Sequence, residues 1–204
     1  MMKIDYKKEL KKFYGGKVGE KVIVNVPRMR FLVIDGKGDP NTSKEFTDAI
    51  EALYPVAYTL KFMCKKQLEK DYGVMPLEGL FWTEDMKNFN PEEKDQWLWT
   101  LLIMQPEMVT ETLFDSAIKQ VETKKNPPAL NKIRFEIFDE GRAAQVMYIG
   151  PYSEEGPAIQ DLHAFIKNRG GVLNGAVKKH HEIYLGDSRR RDPAKLQTII
   201  RQPY

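Results

Sequence analysis

The 204-residue sequence has little cysteine, little net charge and no long apolar run. Its only cysteine, Cys64, cannot form an intramolecular disulfide, and no pair of cysteines is spaced to hold zinc. The net charge of +3 is too small to predict an acidic partner, because the basic residues occur in short clusters typical of solvated surface. No segment approaches the roughly 20 apolar residues of a membrane span, and the charged start, Met1–Tyr14, lacks the apolar core of a signal peptide. We therefore expect a cytoplasmic protein that neither spans a membrane nor binds nucleic acid directly.

The common cofactor and nucleophile motifs are also missing. Gly36-Lys37-Gly38 is too short for a phosphate-binding loop, and no Gly-x-Ser-x-Gly element is present for serine hydrolysis. His163 has no partner at metal-ligand spacing. The sequence thus predicts neither a cofactor nor a metal.

What the chain does contain is one order of elements that occurs twice: strand, strand, helix, strand, strand. The first set of predicted strands is Val22–Val26, Met29–Asp35, Met75–Trp82 and Gln96–Gln105, with a helix whose apolar stripe runs from Phe46 to Leu60. The second set is Arg134–Phe138, Ala143–Ile149, Val177–Leu185 and Gln197–Arg201, with a helix carrying Ile159, Leu162, Phe165 and Ile166. Thr42 and Ser153 are the predicted helix caps, and Pro55 predicts a kink or a break in the first helix.

These patterns predict an α+β fold made of duplicated strand-helix-strand-strand units. We expect antiparallel sheets related by a pseudo-twofold axis, with a cleft where the repeats join. The predicted single domain comprises an N-terminal helical arm (1–20), repeat one (21–106), a connecting helix (107–132) capped by Thr110, and repeat two (133–204).

Two groups of residues are candidates for a site. Aromatic side chains near predicted strand ends can form a wall that stacks a planar or cationic organic ligand: Phe81, Trp82, Trp97 and Trp99. The tryptophans could equally be ordinary core residues, because indole rings bury large apolar areas.

The second group follows from strand alternation, which places His180, Glu182 and Tyr184 on one face. If that face is the inner one, burial should raise the pKa of Glu182 and make it available as an acid, a base or a counter-charge. In the alternative, Glu182 faces solvent while His181 and Ile183 face the core. Tyr148 and Tyr152 could donate hydrogen bonds to the same ligand, although such tyrosines are often half-buried core residues.

Four stretches, taken in order, make the chain resemble the stand-alone GyrI-like proteins: Phe31–Asn41, Glu78–Trp82, Gly150–Ser153 and His180–Asp187. The resemblance implies a duplicated fold with a ligand channel between the repeats, in proteins that bind hydrophobic or cationic xenobiotics. A free-standing subfamily with an aromatic cage hydrolyses the cyclopropane ring of DNA-alkylating cyclopropanoids. By this resemblance Glu182 corresponds to the inner-strand glutamate, and Phe81, Trp82, Trp97, Trp99 and Tyr184 correspond to the aromatic lining. Tyr148 departs from the pattern, because relatives often carry histidine there.

We therefore expect a detoxifying protein that binds a planar hydrophobic small molecule. In the hydrolase hypothesis Glu182 activates or polarises water, and Tyr148 or Tyr152 donates a proton or hydrogen bond to the ligand. The alternative is a non-catalytic protein that sequesters toxic compounds or inhibits a partner such as DNA gyrase. Haem binding is a third possibility, suggested only by the pair His180-His181.

Overall fold

The computed structural model describes residues 3–84, 93–175, 177–187 and 189–204. In chain order the elements are β1 (Lys3–Ile4), α1 (Tyr6–Glu9), α2 (Lys11–Tyr14), β2 (Val22–Val26), β3 (Met29–Lys37), α3 (Lys44–Gln67), β4 (Asp71–Tyr72), β5 (Leu77–Trp82), β6 (Leu98–Gln105), α4 (Glu111–Lys124), β7 (Arg134–Phe138), β8 (Gly141–Ile149), α5 (Gly156–Lys167), β9 (His180–Tyr184) and β10 (Gln197–Pro203). The fold is mixed α+β with mainly antiparallel strands. Among the described residues, none of the helices combines the length and the apolar character that a membrane span requires.

The chain divides into two compact units, each assembled from separate stretches. Unit 1 comprises Met1–Tyr6, Met29–Met75 and Phe89–Phe138, and unit 2 comprises Lys7–Arg28, Pro76–Asn88 and Asp139–Tyr204. Strands β2 and β5 of the first predicted repeat therefore lie in unit 2, whereas β7 of the second lies in unit 1. The predicted internal duplication stays a prediction.

The predicted element bounds agree with the structure best where apolar runs meet strong turn signals. Strands β2 and β7 have the predicted residues, and Thr110 caps α4 by accepting a hydrogen bond from the backbone N–H of Leu113. The prediction that Thr42 caps α3 is wrong, because the neighbouring Ser43 accepts the bond from Phe46 N–H. Helix α3 also continues without a break through Pro55.

Unit 1 is built around β3, which pairs antiparallel with β6 on one side and β7 on the other. Helix α3 packs against β3 and β6 and against α4. The packed face of α3 consists of small and branched apolar residues, which allow close approach to the strands: Ala49, Ala52, Leu53, Val56, Ala57 and Leu60. The core of unit 1 therefore lies between this helix and its strands.

Unit 2 contains five antiparallel strands in the order β2-β8-β10-β9-β5. Helix α5 covers one face of this sheet, where Leu162 and Ile166 pack on Val146 and Ile200. We call this the helix face. The opposite face carries Tyr14 at the end of α2, and we call it the arm face.

Candidate functional site

Strand β9 lies between β5 and β10, so its side chains contribute to both faces of the unit 2 sheet. Glu182 is opposite Gly79 on β5 and Ile200 on β10, which places it on the helix face. His180 and Tyr184 share that face, as the alternation predicted, while His181 projects to the arm face. Both faces are covered, since the His181 side chain is 1% exposed and that of Glu182 is 15% exposed. The alternative in which Glu182 simply faces solvent does not hold.

The Glu182 carboxylate is held from both sides by its strand neighbours. His180 Nε2 is 3.0 Å from Oε1, and the Tyr184 hydroxyl donates to Oε2 at 2.7 Å. Burial on its own would raise the pKa of Glu182, but the bond and charge of His180, the Tyr184 hydrogen bond and the charge of His181 together lower it. The predicted rise in the Glu182 pKa is therefore wrong, and this group is a carboxylate at neutral pH.

A second carboxyl group, Glu155, belongs to the same site and was missed by the sequence analysis. It directly precedes α5 and is 2% exposed. Burial and the negative charge of Glu182 raise the pKa of Glu155 to about 8, so it keeps its proton at neutral pH. The buried Thr198 hydroxyl interacts with Glu155 and partly offsets this rise in pKa.

The sequence does contain a signal that places Glu155 directly before a helix. The following Gly156-Pro157 pair marks the start of a helix, because proline is favoured in the first helical turn. The cap position therefore belongs to Glu155, and Ser153, the predicted cap, lies in a short 3-10 turn formed by Tyr152–Glu154.

Three aromatic side chains surround these carboxyl groups. The Tyr152 and Tyr184 rings meet edge to face with centroids 5.2 Å apart, and Tyr152 is 37% exposed. The Phe81 ring lies across Gly79, where a Cβ would be 2.6 Å from Phe81 Cε2 and 3.5 Å from the Tyr184 hydroxyl oxygen. Glycine at this position thus lets an aromatic ring approach the strand opposite Glu182.

Tyr148 lies on the helix face but does not bind Glu182. Its hydroxyl donates to the Pro151 carbonyl at 3.1 Å and folds back over Gly150, where a Cβ would be 2.3 Å away. Burial and the charges of Glu154 and Glu155 raise the pKa of Tyr148. The hydroxyl that donates to Glu182 is that of Tyr184 instead.

The three predicted tryptophans differ in their surroundings. Trp82 follows Phe81 and is therefore on the arm face, where Lys179 Nζ is 3.4 Å from its ring centroid. Trp99 is a fully buried core residue of unit 1, packed edge to face on Phe46 at 5.0 Å. Trp97, also in unit 1, is half-buried with Lys94 Nζ 5.7 Å from its ring. Ligand contact by these tryptophans stays a prediction.

His181 is not a candidate haem ligand. It is buried, and both of its ring nitrogens lie within 3.0 Å of carboxylate oxygens. A histidine ligand to iron needs an accessible nitrogen lone pair. His180 contacts Glu182 through Nε2.

The chain matches one described protein family and is similar to several solved structures. Residues 20–204 match a family described as GyrI-like small molecule binding domain. No curated protein matches the chain. A solved structure of an uncharacterized conserved protein from Listeria innocua is 39% identical, with a TM-score of 0.87 over 98% of this chain and 99% of that one. Two structures of hydrolases from Listeria innocua are 37% and 38% identical, with TM-scores of 0.82 and 0.85 over 98% and 99% of this chain and 99% of each of theirs.

Proposed function

Because the chain belongs to the GyrI-like small molecule binding family, we propose that it detoxifies flat hydrophobic or cationic xenobiotics bound beside Glu182. The proposed reaction is hydrolytic opening of the cyclopropane ring of DNA-alkylating cyclopropanoids. Similarity to two hydrolases over nearly the whole chain supports an enzymatic role.

The observation that carries the proposal is the pair of buried carboxyl groups with opposite protonation states. Glu182 is ionised at neutral pH, whereas Glu155 has a pKa of about 8 and remains an acid. Paired titratable groups whose environments separate their pKa values can act as base and acid in one reaction. The aromatic rings of Phe81, Tyr152 and Tyr184 provide stacking surface for a planar substrate next to them.

In the proposed reaction a water oxygen bonds to a strained ring carbon, and the cyclopropane C–C bond breaks. The electron pair of that bond moves into the conjugated carbonyl system, whose oxygen becomes a phenolate and takes the proton of Glu155. Glu182 accepts the proton that water loses, so the product is the substrate plus one water. Proton exchange with solvent then restores both carboxyl groups. Ring strain favours opening, and the protein therefore supplies mainly orientation and proton transfer.

One observation favours the second candidate, a non-catalytic binder that sequesters cations. Two hydrogen bonds and a lowered pKa make Glu182 a weak base, yet they preserve its negative charge. A fixed anion beside aromatic rings suits a lipophilic cation regardless of catalysis.

Incubation with a cyclopropanoid, followed by mass spectrometry, separates the two candidates. The hydrolase should give a ring-opened product heavier by one water, faster than in buffer. Glu155→Gln and Glu182→Gln should each slow turnover by about 10²- to 10⁴-fold, the usual contribution of a general acid or base. The matched control is Glu154→Gln, which changes an exposed neighbour and should leave the rate unchanged.

Stoichiometric binding without ring-opened product above the buffer rate would exclude hydrolysis and leave the sequestering function. Turnover that survives both active-site substitutions would instead refute the assigned acid and base.

A further inference from the structure

His181, the strand neighbour of Glu182, lies between two carboxylates on the arm face. Its Nδ1 is 2.8 Å from Glu140 Oε1, and its Nε2 is 3.0 Å from Glu78 Oε2. All three side chains are at most 1% exposed. The Nδ1–Glu140 contact is a hydrogen bond, and the Nε2–Glu78 contact is at ion-pair distance. Two negative charges this close to the ring favour its protonated form over the neutral one. The geometry therefore favours a doubly protonated, positively charged ring.

The surrounding groups complete a buried network that is neutral overall. Arg201 is opposite His181 on β10 and donates to Glu140 Oε2 at 2.7 Å, while Tyr14 donates to Glu78 Oε1 at 2.8 Å. Two carboxylates thus face one imidazolium and one guanidinium. Arg201 is further fixed by the Gln145 side chain and the Phe13 carbonyl. Such pairing of opposite charges is what allows charges to persist in a protein interior.

We propose that His181 is a positioning residue of the site: its positive charge, fixed between Glu78 and Glu140, favours the ionised form of the adjacent Glu182 from the other face of β9. The two residues are consecutive in β9, with Cα atoms about 3.8 Å apart, and their side chains point to opposite faces of the sheet. Burial on its own would lower the pKa of His181, but the carboxylates, Glu140 foremost, raise it to about 9. The pKa of Glu182 is lowered first by the hydrogen bond and charge of His180, then by the Tyr184 hydrogen bond, and the charge of His181 adds to both.

The position of His181 distinguishes it from the groups that face Glu182 directly. On the helix face these are His180, Tyr184 and Glu155. A ligand entering beside Glu182 can displace the hydrogen bonds of His180 and Tyr184, and ionised Glu155 would oppose the charge of Glu182. A ligand on the helix face cannot reach His181. Its charge therefore persists throughout binding, and its effect on turnover rests on the proposed hydrolase function.

The charge of Glu182 can be measured without turnover, by a carboxyl ¹³C NMR titration of the full-length protein. His181→Gln should move the Glu182 titration to higher pH than in the wild-type protein. The matched control is Lys195→Gln, which removes one positive charge from an exposed side chain of the same unit, and it should leave the pH at which Glu182 titrates almost unchanged. Equal Glu182 titrations in the wild-type protein and His181→Gln would overturn the proposal.

Two measurements keep the test decisive if His181→Gln does not fold. In the wild-type protein, ¹⁵N NMR should find both His181 ring nitrogens protonated at pH 7, and a neutral tautomer would overturn the proposal. Glu78→Gln retains the ring but removes one of its anionic partners, so it should lower the pH at which the His181 ring loses its second proton. An unchanged His181 titration in this variant would overturn the proposal. If these shifts occur but no variant or wild-type protein hydrolyses a cyclopropanoid, the proposed function fails while the role of His181 stands.

Discussion

Replacing Glu155 by glutamine is expected to stabilise the protein at neutral and alkaline pH while impairing the proposed reaction. The reason is that the folded protein buries this carboxyl group beside the Glu182 carboxylate. Burial and the charge of Glu182 raise its pKa from 4.5 to about 8. Glutamine has nearly the shape of the protonated acid and cannot ionise. The variant therefore avoids the loss of unfolding free energy that the buried Glu155 carboxyl group causes as the pH rises.

The magnitude follows from the linkage between proton binding and folding. A group with a raised folded-state pKa contributes stability that is fully present below its unfolded pKa, here 4.5, and lost as pH rises through its folded value, about 8. The two values imply a total loss of roughly 5 kcal/mol at 1.36 kcal/mol per pH unit, of which roughly 3 kcal/mol falls between pH 5 and pH 8. The Glu155→Gln protein lacks this loss.

Urea unfolding followed by circular dichroism at pH 5 and pH 8 measures the effect. The stability of Glu155→Gln relative to the wild-type protein should rise by roughly 3 kcal/mol between the two pH values. The control Glu154→Gln should follow the wild-type protein, because that side chain is exposed. If wild-type and Glu155→Gln proteins lose stability in parallel, Glu155 is not a buried acid and the proposed acid–base pair is wrong.

Three further substitutions test other parts of the structure. Glu140→Gln leaves Arg201 without its buried anionic partner and should cost about 3–5 kcal/mol of unfolding free energy in urea. Gly79→Ala should displace the Phe81 ring, cost about 1–3 kcal/mol of stability and weaken binding of a planar aromatic dye in a fluorescence titration. Trp99→Ala should cost about 3–5 kcal/mol in the same urea assay through loss of core packing, and a much smaller cost would contradict its place in the core of unit 1.

Local sequence patterns predicted much of the secondary structure because their causes are local. The β-branched run Val22–Val26 ends at Pro27, and Arg134–Phe138 ends at an Asp-Glu-Gly turn, so both strands have their predicted bounds. Strand β9 begins three residues later than predicted, at His180. The assembly of unit 2 from three separate stretches depends on long-range pairing, which no local pattern contains.

The candidate site could also be predicted only where its geometry follows from a local pattern. Strand alternation correctly placed His180, Glu182 and Tyr184 on one face, because the pleat fixes a period of two. The sign of the Glu182 pKa shift was missed even though its donors are two residues away on either side, in positions that alternation had already brought together. Glu155 is 27 positions away along the chain and reaches Glu182 only because α5 packs across the sheet.

The two carboxyl groups also imply that catalysis and cation binding make opposite demands on the site. A cationic ligand placed beside them stabilises the ionised form of Glu155, because an opposite charge lowers the pKa of a carboxyl group. The site then presents two anions and has lost its acid. A neutral cyclopropanoid has no charge that would lower the pKa of Glu155, so Glu155 keeps the proton that the proposed ring opening requires. The same two carboxyl groups would thus retain a cation without converting it, while a neutral electrophile would meet both an acid and a base.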